Sequence, residues 1–289
     1  MEVVTVSTEV SYPLEVEGRL DPRLSRWLWL VKWLLAIPHI VVLAFLWIAF
    51  FVLTFVALVA IVFTGRYPRS LFEFNVGVLR WSWRVGFYTF AALGTDRYPP
   101  FTLGPAPDYP ARLDVVYPAR LSRGLALVKW WLLAVPQYVI VALLLGGGTR
   151  WNWVASGVGL IDVLVFFAGV ALLFTGRYPH GIFDLVVGLD RWALRVAAYA
   201  GLMTDRYPPF RLDMGGTEPA VRLAAPEAAP AEAAPVARAR RWTFGRVVLV
   251  VLGSLAALLA FGLAASGAAA LVVDHTQRSY PSPRTWAAT

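Results

Sequence analysis

The strongest constraint on this chain is that one block of it occurs twice. LSRWLWLVKWLLAIP at residues 24–38 returns as LSRGLALVKWWLLAVP at residues 121–136. FTGRYPRSLFEFNVGVLRWSWRV at residues 63–85 returns as FTGRYPHGIFDLVVGLDRWALRV at residues 174–196, and GTDRYPPFTL at residues 94–103 as MTDRYPPFRLDM at residues 203–214. Each copy runs for about a hundred residues, and duplication explains the order of the elements.

The repeated unit is apolar. With 58% hydrophobic residues, 15% charged residues and a mean hydropathy of +0.62, the uncharged runs exceed what one core can bury, so lipid is the expected solvent. The second copy holds two apolar stretches, residues 124–145 and 154–174, separated by GGGTRWNW. Each is long enough for a hydrocarbon core of ~30 Å, which predicts a helical hairpin. In the first copy the run over residues 27–63 has no polar break. As one straight helix it would reach ~55 Å, so it must fold back, bend at Pro38 or lie partly in the interface.

Arginines give an orientation. Arg66, Arg69, Arg80, Arg84, Arg97, Arg112, Arg120 and Arg123 lie between the apolar runs of the two copies, and ten more lie between residues 177 and 246. Only Arg150 sits at a predicted hairpin tip, so two hairpins place the dense basic clusters together on the cytoplasmic side.

The expected fold is an all-α integral membrane protein of the bacterial cytoplasmic membrane. Two tandem helical-hairpin modules, residues 1–105 and 106–213, each carry an amphipathic interfacial helix. An Ala/Pro-rich disordered linker follows at 214–241, then a C-terminal transmembrane helix at 242–273 and an external tail at 274–289. Short cytoplasmic strands are expected around residues 14–20, 112–116 and 211–213. The N-terminus carries Glu2 and Glu9 and does not read as a cleaved leader, which predicts five spans with the N-terminus inside.

Two sets of polar residues stand out against this background. Glu73, Gly77, Arg80 and Arg84 share one helical face, and Asp184, Gly188, Arg191 and Arg195 reproduce it. Such a stripe suits arginines snorkelling to lipid phosphates, or two stripes facing each other around an anionic lipid or partner. Of 26 basic side chains only Lys32 and Lys129 are lysines, at equivalent positions inside the apolar runs. They suit snorkelling stems or contacts to a headgroup. Arg66, Tyr67, Arg177 and Tyr178, from the two GRYP motifs, read as interface anchors. Asp96 and Asp205 precede an Arg in each TDRYPPF, which predicts a local salt bridge or turn cap.

Catalytic signals are absent. The chain has no cysteine, and His39, His180 and His275 lack metal-ligand spacing. No nucleophile elbow, phosphate loop or dinucleotide fingerprint occurs, so no catalytic residue, metal or cofactor is expected.

The motifs VKWLLAIPH, FTGRYPRSLFEFNVGVLRWSWRV and TDRYPPF resemble a bacterial membrane family known as domain of unknown function 4389, present here in two tandem copies. The final DHTQRSYPSP resembles the ends of some members. The resemblance implies architecture and carries no activity. A non-enzymatic scaffold or accessory subunit is therefore expected, engaging anionic lipid or another membrane protein and not nucleic acid, with the oligomeric state open. The alternative is a small transporter or channel with its path between the repeats, for which Asp162 is a candidate residue.

Overall fold

The computed structural model describes residues 12–146 and 158–216. All of them fall in the first of two compact units, Met1–Trp242; the second, Thr243–Thr289, lies outside the described residues, as do Arg150, His275, the linker beyond residue 216, the C-terminal helix and the tail. The described residues form seven α-helices, one π-helical segment and a two-stranded antiparallel sheet.

The first copy contributes β1 (Leu14–Gly18), α1 (Trp29–Leu35), α2 (Ile37–Thr64) and α3 (Arg69–Tyr88). The hairpin expected here does not form, and α2 is one continuous helix of 28 residues. Pro38 lies in its first turn, where a missing N–H breaks no helical bond, and neither Gly nor Pro interrupts residues 39–64. The helix stops at Gly65, whose φ of 71° lets its N–H turn back to the Ile61 carbonyl at 2.7 Å. The long apolar run is thus broken at Ala36, just before Pro38.

The second copy contributes β2 (Ala111–Val115), α4 (Arg123–Val128), a π-helical segment (Lys129–Leu133), α5 (Val135–Leu145), α6 (Leu160–Thr175) and α7 (His180–Ala200). Its KWWLLAVP has one residue more than KWLLAIP. The extra residue is absorbed as a π turn: the Ala134 N–H reaches back to the Lys129 carbonyl, where the equivalent Ala36 N–H reaches the Lys32 carbonyl, each at 2.9 Å. The axis bends by 45° at this break. A second insertion separates α5 from α6, yet a Cβ on Gly159 would stand 2.4 Å from the Leu144 carbonyl oxygen, so the two helix ends abut. Together α5 and α6 pack on α7 as α2 packs on α3.

The sheet joins the copies. Val16 pairs with Leu113 at its centre, Leu14 with Val115 and Gly18 with Ala111, so the ladder is nearly symmetric about one residue pair. Each strand docks on the helix of the other copy. Tyr12, before β1, donates its hydroxyl to the Arg206 carbonyl of copy two at 3.1 Å, while Tyr109, before β2, donates to the Arg97 carbonyl of copy one at 3.1 Å. Two of the three expected strands are thus present, and residues 211–213 are coil.

Large apolar side chains also point outward, among them Phe51, Phe55 and Phe63 on α2 and Phe166, Phe167 and Phe174 on α6. Among the described residues α2 alone is long and apolar enough to cross a membrane, with a mean hydropathy of 2.9 over a window only 28% buried. The bent pair Arg123–Leu133 and Val135–Leu145 makes a second if taken as one span, and α6 is shorter. This is fewer than the four crossings that two hairpins require.

Candidate functional site

The two lysines lie inside the protein. Lys32 is 1% exposed and Lys129 0%, which removes both from contact with a headgroup. Lys32 Nζ stands 2.7 Å from Asp96 Oδ1 and donates to the Thr95 carbonyl at 2.8 Å. Lys129 Nζ stands 2.8 Å from Asp205 Oδ1 and donates to the Thr204 carbonyl at 2.8 Å. Tyr88 and Tyr199 present ring faces to the two ammonium groups, with centroids at 5.2 and 5.5 Å. The second carboxylate oxygen of each aspartate accepts from the Ser25 and Ser122 backbone N–H, both at 2.6 Å. Each TDRYPPF aspartate therefore ties the start of a helical run to the loop after α3 or α7, in place of the expected bridge to its neighbouring arginine. A buried ammonium needs a partner charge and acceptors, and this arrangement supplies a carboxylate and a backbone carbonyl to each.

The arginine stripes also turn inward. A two-stranded sheet has two open edges whose carbonyls need donors, and a guanidinium carries five N–H groups. Arg191 donates from Nε and Nη2 to the Val16 carbonyl at 3.1 and 3.0 Å, and from Nη2 to the Gly215 carbonyl at 2.9 Å. Arg80 does the same for the paired residue, donating to the Leu113 carbonyl at 3.0 Å, and adds an ion pair to Asp114 at 3.0 Å. Arg84 holds the Gly104 and Thr102 carbonyls, and burial pushes its guanidinium down to about 10. Arg195 pairs with Asp213 at 2.7 Å. Arg84, Arg191 and Arg195 are buried struts, and Arg80, partly exposed, is bonded to the sheet edge, so all four are engaged within the fold. Of the acids in the two stripes, Glu73 forms an exposed pair with Arg69 at 3.1 Å, and Asp184 accepts from the Gly215 N–H through its backbone.

The GRYP motifs divide. Tyr67 and Tyr178 are buried, and they connect the copies. Tyr178 donates to the Ala92 carbonyl at 2.7 Å, while Tyr67 accepts from Asn75 Nδ2 at 2.8 Å and lies 3.5 Å from the Gly201 carbonyl. Burial raises both phenols, Tyr67 to about 12. Only Arg66 and Arg177 remain outside, where an interface anchor would be.

His39 is a packed acceptor. Its Nδ1 accepts from Trp81 Nε1 at 3.1 Å and its ring stacks on Phe101 with centroids 3.9 Å apart. In the second copy Gln137 Oε1 accepts from Trp192 Nε1 at 2.8 Å, so an amide fills the same role. Among the described residues no group of three or more His, Asp or Glu comes together to hold a metal. Asp162 accepts from the Gly159 N–H at 3.0 Å and caps α6.

Two features escaped the sequence reading. Asp190 replaces Leu79 of the first copy; it is 6% exposed and its Oδ2 has no hydrogen-bond partner among the described residues. Burial, with Asp162 nearby, holds its carboxyl well above the usual carboxylate range. The mismatch between copies at this position was the available signal. The second feature is that the expected anchors Arg66 and Arg177 are joined by further exposed arginines at two helix ends. Thr64, Gly65, Arg66, Arg120, Leu121 and Arg123 line a cleft of about 530 Å³ where α2 ends and α4 begins. Where α6 ends at Gly176, the guanidinium of Arg26 lies over the glycine beside Arg177.

No curated protein and no solved structure matches the chain. The family described as Domain of unknown function (DUF4389) matches at residues 26–102 and again at residues 153–211. The first match covers α1 to α3, and the second opens after the insertion and covers α6 and α7. The chain therefore carries this domain of unknown function in two copies.

Proposed function

We propose that the chain is an integral membrane protein of the bacterial cytoplasmic membrane, acting without catalysis as a scaffold or accessory subunit that engages anionic lipid or another membrane protein. The outward face of α2 carries this reading. Over its most apolar stretch only 28% is buried, and Phe51, Phe55 and Phe63 project from it with exposures of 65%, 68% and 75%. Exposed aromatic and aliphatic surface on this scale is stable against acyl chains and costly against water.

The polar interior supports the non-catalytic part. Lys32, Lys129, Arg80, Arg84, Arg191 and Arg195 are all engaged in bonds that hold strands, loops and helices together. A side chain fixed in such a strut is not poised to bind and release a substrate.

Alkaline carbonate extraction of membranes tests the reading first. Retention in the pellet is expected, and release into the supernatant would overturn integral insertion. Single cysteines at Ser7, Ala106 and Ala220, in a chain with no native thiol, then report sidedness. A covalent cross-link from Phe55 or Phe167 to a second membrane protein would identify the accessory role. Cross-links to lipid alone would leave the lipid role.

A further inference from the structure

We infer that the ends of α2 and α6 form two equivalent sites, each built from three arginines, for the phosphate of an anionic phospholipid headgroup. The inference rests on the membrane reading above and names the residues through which lipid is engaged.

Three observations carry it. The first is placement. Arg66 follows the α2 terminus at Gly65 and meets Arg120 and Arg123 from the segment entering α4, around the cleft of about 530 Å³. This volume suits a headgroup-sized ligand. The Leu121 N–H donates to the Gly65 carbonyl at 2.9 Å, which fixes the two chain segments side by side. At the other end Arg177 follows the α6 terminus at Gly176 and Arg26, from the segment entering α1, lies against that glycine; Arg23 is assigned to this site as the repeat counterpart of Arg120. A Cβ on Gly176 would stand 2.6 Å from Arg26 Nε, and one on Gly65 would stand 3.6 Å from Arg123 Nε. Both glycines have φ near 70°, so each ends its helix and leaves room for a guanidinium.

The second observation is charge. All six arginines are exposed, and among the described residues none forms a salt bridge. The buried basic residues discussed above are paired or hydrogen-bonded, so the contrast is between cations used by the fold and cations left for an external anion. A planar guanidinium matches two phosphate oxygens at once, and three converging guanidiniums exceed the charge of one phosphodiester. The third observation is what flanks the sites. Phe63 is 75% exposed and Phe174 77%, each two residues before the terminal glycine. An acyl chain on that aromatic surface and a phosphate on the arginines are joined in one molecule, a phospholipid, which favours lipid over free phosphate.

Comparison of the copies agrees. Arg23, Arg26 and Arg66 correspond to Arg120, Arg123 and Arg177, whereas the neighbouring WLW has become GLA. Complementing the negative end of a helix would ask for one cation in the last turn. It does not require the three that line the α2 cleft from two segments.

The test uses the full-length chain purified in mild detergent, with bound phospholipid counted by native mass spectrometry. The variants are Arg66→Ala/Arg120→Ala/Arg123→Ala, Arg23→Ala/Arg26→Ala/Arg177→Ala and their combination. Arg19→Ala/Arg69→Ala/Arg211→Ala serves as a control of equal charge loss. Each cluster variant is expected to lose about half of the retained phosphatidylglycerol and the combination nearly all, with the control unchanged. Equal retention in wild type and combination overturns the sites while leaving the membrane reading intact. Release of wild type by alkaline carbonate overturns that reading separately. Inorganic phosphate is titrated into delipidated chain as a further arm. Saturable phosphate binding lost in the variants, with lipid retention unchanged, would assign the clusters to free phosphate and overturn the lipid proposal. Should a triple variant fail to fold, Arg66→Glu and Arg177→Glu singly must still lower lipid retention.

Discussion

Lys129 Nζ stands 2.8 Å from Asp205 Oδ1 across 76 residues of chain, and the pair closes the loop after α7 onto the start of the helical run that opens the second copy. The lysine is fully buried and the aspartate is 27% exposed by side chain. Removing one partner strands the other charge in an apolar setting. Asp205→Asn is expected to cost about 2–3 kcal/mol, less than for a wholly buried pair because water reaches the carboxylate. Lys129→Met/Asp205→Asn should recover part of that loss. Denaturant unfolding in detergent measures both, and additive losses in the double variant would count against a coupled pair.

Asp190 predicts a pH dependence. Its carboxyl is held well above the usual range by burial, so the folded chain keeps a proton that the unfolded chain releases near pH ~4. Its contribution is fully present below the unfolded value and is lost as pH rises through the raised folded value. Asp190→Leu, which copies Leu79, should therefore raise stability at neutral pH by roughly 1–3 kcal/mol and flatten that part of the profile. An unchanged slope in thermal melts across pH 4–8 would place the titration elsewhere.

Arg191 holds β1 to the other copy through the Val16 and Gly215 carbonyls. Arg191→Lys keeps the charge and loses the fork. It should cost about 2 kcal/mol and speed amide exchange at Val16 and Gly18, whereas Arg69→Ala, which breaks an exposed pair, should cost under ~0.5 kcal/mol. Exchange rates that do not distinguish the two would mean the strand is held by the ladder alone.

Gly65 and Gly176 share a left-handed conformation and differ in surroundings. Gly65→Ala should cost about 1 kcal/mol for the strained φ. Gly176→Ala should cost more, because Arg26 must also move from 2.6 Å. Equal melting temperatures for the two variants would show that Arg26 yields without cost.

The sequence alone determined the duplication, the helical content, two of the three expected strands, near residues 14–20 and 112–116, and the ends of the apolar runs near residues 63 and 174. Those features follow from local periodicity, from Pro and Gly at chain turns, and from a repeat that must fold alike in both copies. Only the tertiary structure decided where the charges go. Lys32 and Arg191 look like membrane-surface cations when read along the chain, because their partners, Asp96 and the Val16 carbonyl, lie 64 and 175 residues away. The long helix α2 also replaced an expected hairpin, since hydropathy records how much apolar length is present and not whether a turn interrupts it. Arg66 and Arg123 show the converse: they are separated in sequence and unremarkable in composition, and only the docking of the Leu121 N–H on the Gly65 carbonyl brings them to one cleft. Local pattern is set by neighbours along the chain, whereas the pairing of charges is set by burial, which depends on every element that covers them.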